Sequence, residues 1–186
     1  MHKILMELHQ DHLNLTRVFG ILDQQLDRIA SNNHPDLFLC VDILHYIQHY
    51  PDLFHHPKEN IVYDVLKHHT TDAKDIIHQL KDEHQSLPQE TETLKDILES
   101  AANSVLFVSR DVLTTKIADF LKLERKHMDL EEEVVFPLID KAIPDNDWLE
   151  IEKKVESTID PLFGSKVQTC YQNLYDSIKA QAKTSI

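Results

Sequence analysis

The chain has little of what bends, staples or anchors a polypeptide. Its 186 residues include only 2 glycines, too few for the frequent tight turns of a sandwich or barrel. The 2 cysteines, Cys40 and Cys170, lack C-x-x-C spacing and the density of a disulfide scaffold. That argues against a zinc knuckle and against a secreted, cross-linked fold, leaving two buried thiols as the expectation. No apolar run approaches the roughly 20 residues that a bilayer requires. The opening Met1-His2-Lys3-Ile4-Leu5-Met6-Glu7 lacks the apolar stretch of a secretory signal, so a soluble, cytoplasmic protein is expected. Positive charge is scarce: 19 basic against 32 acidic residues give a formal charge of −13, which repels phosphate backbones and anionic lipid. Nucleic acid and membranes are therefore poor partners. No nucleophile-and-base triad or glycine-rich phosphate loop is visible, which disfavours hydrolases, kinases and nucleotide enzymes.

What the chain does have is helix-forming sequence, with apolar residues at three- and four-residue steps. The fold class is all-α, in one domain. A first helix is expected from Lys3 to Ala30, burying Ile4, Leu5, Leu8, His12, Leu15, Val18, Phe19, Leu22, Leu26 and Ile29. It ends at the breaker cluster Ser31-Asn32-Asn33-His34-Pro35. A second runs from near Asp36 through Phe38, Val41, Leu44, His45 and Ile47 to about Lys67, kinked or restarted at Pro51 and Pro57. A third begins after Thr71-Asp72, read as its cap, and continues to Ser100 with a kink at Pro88. A fourth spans about Ser104 to Asp140 through Phe107, Val112, Ile117, Phe120, Leu121 and Val134. Four long helices make a bundle over residues 1–140. Residues 141–186 form a helical extension, with one short helix from Asp145 to Ser157 and another from Lys166 to Lys183. This extension is expected to pack on the bundle or against a second subunit of a homodimer.

Two stretches of the bundle repeat each other. Leu8-His9-Gln10-Asp11-His12-Leu13-Asn14-Leu15 and Leu80-Lys81-Asp82-Glu83-His84-Gln85-Ser86-Leu87 both read L-x-x-[DE]-H-x-x-L. His12 to His55 and His84 to His127 are each 43 positions apart. Each second histidine opens an H-x-x-x-E pair, His55 with Glu59 and His127 with Glu131. Residues four apart on a helix share a face, so two helices each offer an imidazole with a carboxylate. His12 and His84 add one imidazole each, on stripes shared with Leu5, Leu8 and Leu15, and with Leu80 and Leu87. Any one of the 13 histidines read alone is an ordinary surface or hydrogen-bonded residue; the repeated spacing makes these a metal set. The absence of cysteine ligands disfavours structural zinc and iron–sulfur clusters, and the imidazoles disfavour calcium and magnesium. Iron, or less favourably manganese, suits four nitrogens and two carboxylates. Two carboxylates able to bridge favour a pair of ions. Ferritin-like di-iron bundles carry Glu-x-x-His instead; here the order is reversed and histidines outnumber the acids.

These residues resemble the hemerythrin-like, HHE cation-binding family, over about residues 1 to 140. The resemblance lies in Leu8 to His12, in His49-Tyr50-Pro51-Asp52-Leu53-Phe54-His55-His56-Pro57-Lys58-Glu59, in Asp82-Glu83-His84, and in the run from His127 to Pro137. It implies an up-down-up-down four-helix bundle around a non-haem di-iron centre bridged by two carboxylates. His12, His55, Glu59, His84, His127 and Glu131 would be the ligands. Oxygen-carrying hemerythrins have a fifth histidine one turn from the third-helix histidine; Leu80 and Pro88 occupy the matching places here. A four-histidine site resembles the branch that repairs nitric-oxide-damaged or oxidatively damaged iron centres, and iron-sensing relatives, more than the reversible oxygen carriers.

Some assignments stay open at this level. His56 is an alternative to His55, because Pro57 blurs the register, and Glu132 is an alternative to Glu131. His49 is either hydrogen-bonded behind a ligand or solvated. Glu124 and Met128 read as helix surface and core, and His68-His69 as surface at a helix end. Three functions compete. One is a di-iron protein that binds or reacts with O2 or NO in a stress response or as a sensor. Another is iron storage or delivery. The third is an interaction protein docking through Trp148, Phe163, Tyr171 and Tyr175, although aromatics at helical spacing are more often core.

Overall fold

The computed structural model describes residues 1–105 and 107–184. Eight α-helices are present among them and no strand: α1 (Lys3–Ala30), α2 (Leu37–His49), α3 (His56–His69), α4 (Lys74–Ala102), α5 (Arg110–Leu130), α6 (Phe136–Ala142), α7 (Asp145–Lys154) and α8 (Gln172–Thr184). A π turn over Pro51–His55 leads into α3, and a second over Glu131–Val135 leads into α6. The chain thus forms four long rods: α1, α2 with α3, α4, and α5 with α6, joined by short connections.

The expected bounds of α1 hold, and its apolar stripe is buried apart from Leu26, which is only partly covered. The second rod restarts between Pro51 and Pro57, as expected, and the fourth is interrupted where no break was expected. α4 continues through Pro88, whereas the second and fourth rods are interrupted by π turns. Each π turn lies just ahead of a proline, Pro57 or Pro137, whose missing N–H cannot complete a regular i→i−4 bond. Thr71-Asp72 does not cap α4. The helix starts at Lys74 after Ala73, which makes no side-chain cap bond and is fully buried; the Thr70 hydroxyl instead accepts from the Asp72 amide. The fourth rod starts at Arg110 rather than Ser104, capped by Ser109. Phe107, Phe38 and Val112, apolar residues along the second and fourth helices as read from the sequence, are exposed.

Both α1 and α4 end in the same backbone device. Asn33 donates to the Arg28 carbonyl and Val105 to the Ser100 carbonyl, while Asn32 (φ 62) and Ser104 (φ 55) adopt left-handed backbone. Asparagine tolerates that region and serine does so poorly. Ser104→Gly is therefore expected to stabilise the chain by about 1 kcal/mol, read as a higher midpoint in urea at unchanged slope.

The apolar interior is split in two. One cluster joins the C-terminal half of α1 (Leu15, Phe19, Leu22) with α2 (Ile43, Leu44, Ile47), α4 (Leu94, Leu98) and α5 (Ile117, Phe120, Leu121). The other joins the start of α1 (Ile4, Leu5, Leu8) with Val62, Tyr63 and Leu66 of α3, Ile77 and Leu80 of α4, and Phe136 and Ile139 of α6. Between them lies a polar layer at the middle of all four rods.

The C-terminal segment inserts into both clusters. Trp148 and Ile151 of α7 join the second; Leu162, Tyr171, Leu174 and Ile178 join the first. Asp160 fixes the intervening loop. One of its carboxylate oxygens accepts from the Leu162 and Phe163 amides (2.7 and 2.9 Å), and the other from the Tyr46 hydroxyl (3.0 Å). Phe163 and Tyr175 pack against the same core, so all four aromatics considered for docking are used within the chain. Cys40 is buried as expected, and burial pushes its thiol up to about 12, but Cys170 is exposed. No helix among the described residues is long and apolar enough to cross a membrane.

Candidate metal centre

The polar layer gathers the residues that the repeat singles out. His12 comes from α1, His55 from the last position of the first π turn, Glu59 from α3, His84 from α4, His127 from α5, and Glu131 from the first position of the second π turn. All six are buried, Glu59 and Glu131 completely. The histidines meet in two pairs through their Nε2 atoms: His12 and His55 at 3.0 Å, His84 and His127 at 3.1 Å. Two imidazoles bound at right angles to one ion, each at about 2.1 Å, would bring their nitrogens to about 3.0 Å.

The carboxylates span the pairs. Glu59 Oε1 lies 3.3 Å from His55 Nε2 and 3.6 Å from His12 Nε2, while its Oε2 lies 3.4 Å from His84 Nε2. Glu131 Oε2 lies 3.3 Å from His12 Nε2, and its Oε1 lies 3.3 Å from both His84 Nε2 and His127 Nε2. Each carboxylate thus turns one oxygen to each pair, the disposition of a bridge between two ions.

Polar residues behind the imidazoles hold the Nε2 atoms inward. The Nδ1 atoms of His12, His55, His84 and His127 meet Glu132 (2.8 Å), Asp11 (3.1 Å), Asn60 (3.0 Å) and Glu83 (2.8 Å) respectively. Such partners fix ring orientation and raise ligand basicity. The arrangement repeats between the halves. Asp11 and Glu83, the acids of the two L-x-x-[DE]-H motifs, each hold the histidine of the following rod, and Asn60 and Glu132, each next to a buried glutamate, hold His84 and His12. Glu132 therefore lies on the Nδ1 side of His12, opposite Glu131. The Tyr50 hydroxyl donates to Asp11 (3.3 Å), the Tyr63 hydroxyl to Glu131 Oε1 (2.8 Å), and Phe136 stacks on His12 with ring centres 5.2 Å apart.

Two further residues join the layer. His56 is buried, with its ring 4.5 Å from that of His84 and 5.6 Å from that of His127. One donor atom from each of His56, Glu59, His84 and His127 falls within 4.8 Å of the others, as does one from each of His12, His55 and Glu59. A fifth imidazole is thus present although Leu80 and Pro88 hold the places considered for one. Glu124, expected on the surface, is buried. His49 is exposed, its ring bonded to its own helix at the His45 carbonyl (2.7 Å), and His69 meets Asp147 at the surface.

Burial and charge set the protonation of the metal-free layer. Burial opposes charge on His12 and His55, but the adjacent Glu131 and Glu132 carboxylates raise His12 to about 9, and the Glu59 charge with the Asp11 bond raises His55 to about 10. Burial, reinforced by the neighbouring imidazoles, holds His56 well below the usual range. Burial would lift Glu131 too, yet His127 and the adjacent His12 and His84 imidazoles hold it well below the ordinary carboxylate value. Asp52 is pushed up to about 7 and Glu124 to about 8, both chiefly by burial.

The donor set fits a cation. Both oxygens of Glu59 and Oε2 of Glu131 are buried without a hydrogen-bond partner. Buried polar atoms left in that state are costly, and a cation between the histidine pairs would satisfy them.

Fold and site together define a helical-bundle protein with a buried cation centre. The family model for the hemerythrin HHE cation binding domain matches residues 3–139, and the chain belongs to that family. Comparison with curated proteins and with solved structures gave no match.

Proposed function

We infer that the chain is a non-haem di-iron protein that binds or reacts with a diatomic gas, O2 or NO, in an oxidative or nitrosative stress response or in sensing. The observation that carries this reading is the pair of buried carboxylates, each turning one oxygen to each histidine pair. His12, His55, Glu59, His84, His127 and Glu131 would hold the ions. Even with both glutamates bridging, these six fill fewer than the roughly twelve positions of two six-coordinate ions. Imidazole-rich surroundings favour iron over manganese. Iron bound there would supply open coordination positions and electrons for the gas.

The chain's own residues do the rest. Asp11, Glu83, Asn60 and Glu132 orient the rings, and the Tyr63 hydroxyl holds Glu131 in place. Apolar clusters on both sides keep bulk water from the layer. The unpaired cysteines suit a reducing, cytoplasmic compartment.

Protein purified anaerobically is expected to carry about two irons per chain, consistent with the donor set. Its reduced form should change its visible spectrum on mixing with O2 or with NO. A spectrum unmoved by either gas would defeat the gas-binding reading while leaving the metal count to stand by itself.

A further inference from the structure

We propose that Tyr50, Tyr46 and Tyr171 form a relay that passes single electrons between the buried centre and the protein surface beside Cys170. This rests on the two-ion reading above and gives that centre an outlet. Three of the chain's 5 tyrosines stand in this row. The Tyr50 hydroxyl donates to Asp11 (3.3 Å), whose other oxygen lies 3.1 Å from His55 Nδ1. The ring of Tyr46, one helical turn earlier on α2, is 6.1 Å from that of Tyr50, and the ring of Tyr171 is 5.7 Å from that of Tyr46. Both separations are those of neighbouring aromatic rings in contact. Tyr171 follows the exposed Cys170, and its hydroxyl meets the half-buried His45.

A buried phenol needs a hydrogen-bond partner, and any carbonyl or amide oxygen would serve. Here each partner is instead a group able to take the phenolic proton: Asp11 for Tyr50, Asp160 Oδ2 for Tyr46 (3.0 Å) and His45 Nδ1 for Tyr171 (3.1 Å). Burial raises all three phenols, Tyr171 to about 12, and so keeps them neutral. A neutral phenol gives up an electron readily only when its proton leaves with it, and these contacts supply the destination. Burial and the neighbouring His49 hold His45 below the usual range, which leaves its imidazole ready to accept. Tyr63 also touches the centre, through Glu131, but among the described residues its ring neighbours only that of His84 and so offers no onward step.

The oxidant is O2 or a peroxide acting at the centre, and the reductant is a thiol in solution. Tyr50 gives one electron inward and its proton to Asp11, becoming a neutral radical. Tyr46 restores it with an electron; the proton of Tyr46 passes to Asp160, and Asp11 returns its proton to Tyr50. Tyr171 restores Tyr46 in the same way, with His45 taking the proton of Tyr171 and Asp160 returning its own to Tyr46. The thiol then gives Tyr171 an electron, His45 returns the proton, the thiol proton goes to water, and two thiols so oxidised pair as a disulfide. Each passage leads one oxidising equivalent away from the histidines of the centre, which are spared from attack.

A ruthenium(II) polypyridyl photo-oxidant tethered to Cys170 of the full chain tests the relay, Cys40 being buried away from the reagent. A flash in the presence of an electron-accepting quencher oxidises the label, and transient absorption follows the tyrosyl radical. A long-lived radical is expected in the metal-free chain. Loading with iron(II) should shorten its life, with iron(III) appearing at the same rate in freeze-quench EPR, whereas redox-inert zinc(II) should not. Tyr46→Phe and Tyr50→Phe, each at unchanged far-UV circular dichroism, should return the iron(II)-loaded chain to the metal-free lifetime. The relay would be overturned, with the di-iron reading intact, by bound iron(II) that leaves the lifetime unchanged or shortens it equally in both variants. A zinc(II) effect as large as that of iron(II), or no radical in the metal-free chain, would overturn it too. A chain that takes up no iron would remove both.

Discussion

Replacing Glu59 with alanine is expected to cut metal content from about two ions per chain to below one after desalting, because its two oxygens serve both histidine pairs. The magnitude separates a bridging group from an orienting one. Losing a residue behind a ligand typically costs 10- to 100-fold in metal affinity, so Glu132→Gln should weaken binding by about that factor and retain both ions when metal is in excess. Glu59→Ala should exceed it, and excess metal should not restore the second ion. Metal analysis across a titration of iron(II), with manganese(II) as a second probe, decides the matter. Equal losses in the two variants would remove Glu59 from its bridging role. Stability should change as well. Metal that binds only the folded chain stabilises it by mass action, so chelation should lower the melting temperature of the unaltered protein and leave that of Glu59→Ala nearly unmoved.

The second large effect concerns the C-terminal segment. Ending the chain after Ile143 is expected to abolish cooperative folding. Six large side chains (Trp148, Ile151, Leu162, Tyr171, Leu174 and Ile178) are buried in the two apolar clusters. At about 1.5–3 kcal/mol each, their burial amounts to roughly 10 kcal/mol even after allowing for a compact unfolded state. That is comparable to the whole stability of an ordinary domain. The truncation would also leave Tyr46 without its Asp160 partner. A shortened chain that melts cooperatively within a few degrees of the full one would show instead that the bundle stands alone.

Much of the centre is legible in the sequence because it is written twice. Equal spacing of His12 to His55 and His84 to His127, with glutamates four residues on, marks six positions that the fold does bring together. What escaped reading lies where helix geometry departs from 3.6 residues per turn. His56 read as a substitute for His55, because on a regular helix one of two neighbours must point away; the π turn between Pro51 and His55 lifts that constraint. Asp11 and Glu83 were visible as letters of a motif, but their partners sit on other rods and are defined only by packing. Glu124 carries no spacing signal at all, since one acid on a helix looks like solvated surface until neighbours close over it. The same limit explains Phe38 and Phe107, whose apolar character says nothing of which side the bundle covers.

Each π turn is a stretch of helix holding one residue more than regular winding would. Leu53, exposed on the outer side of the first, looks dispensable by every measure of packing. Deleting it would let the segment revert to α-helical bonding with α2 and α3 still in register, because the π turn absorbs the extra residue that it carries. Keeping it while α-helical bonding is imposed would instead turn α3 against α2 by about 100°, and the apolar stripe of α2 and the metal-facing residues of α3 would no longer share a side. The bundle can therefore spare this residue, whereas the widened turn that brings both His55 and His56 into the polar layer cannot do without it.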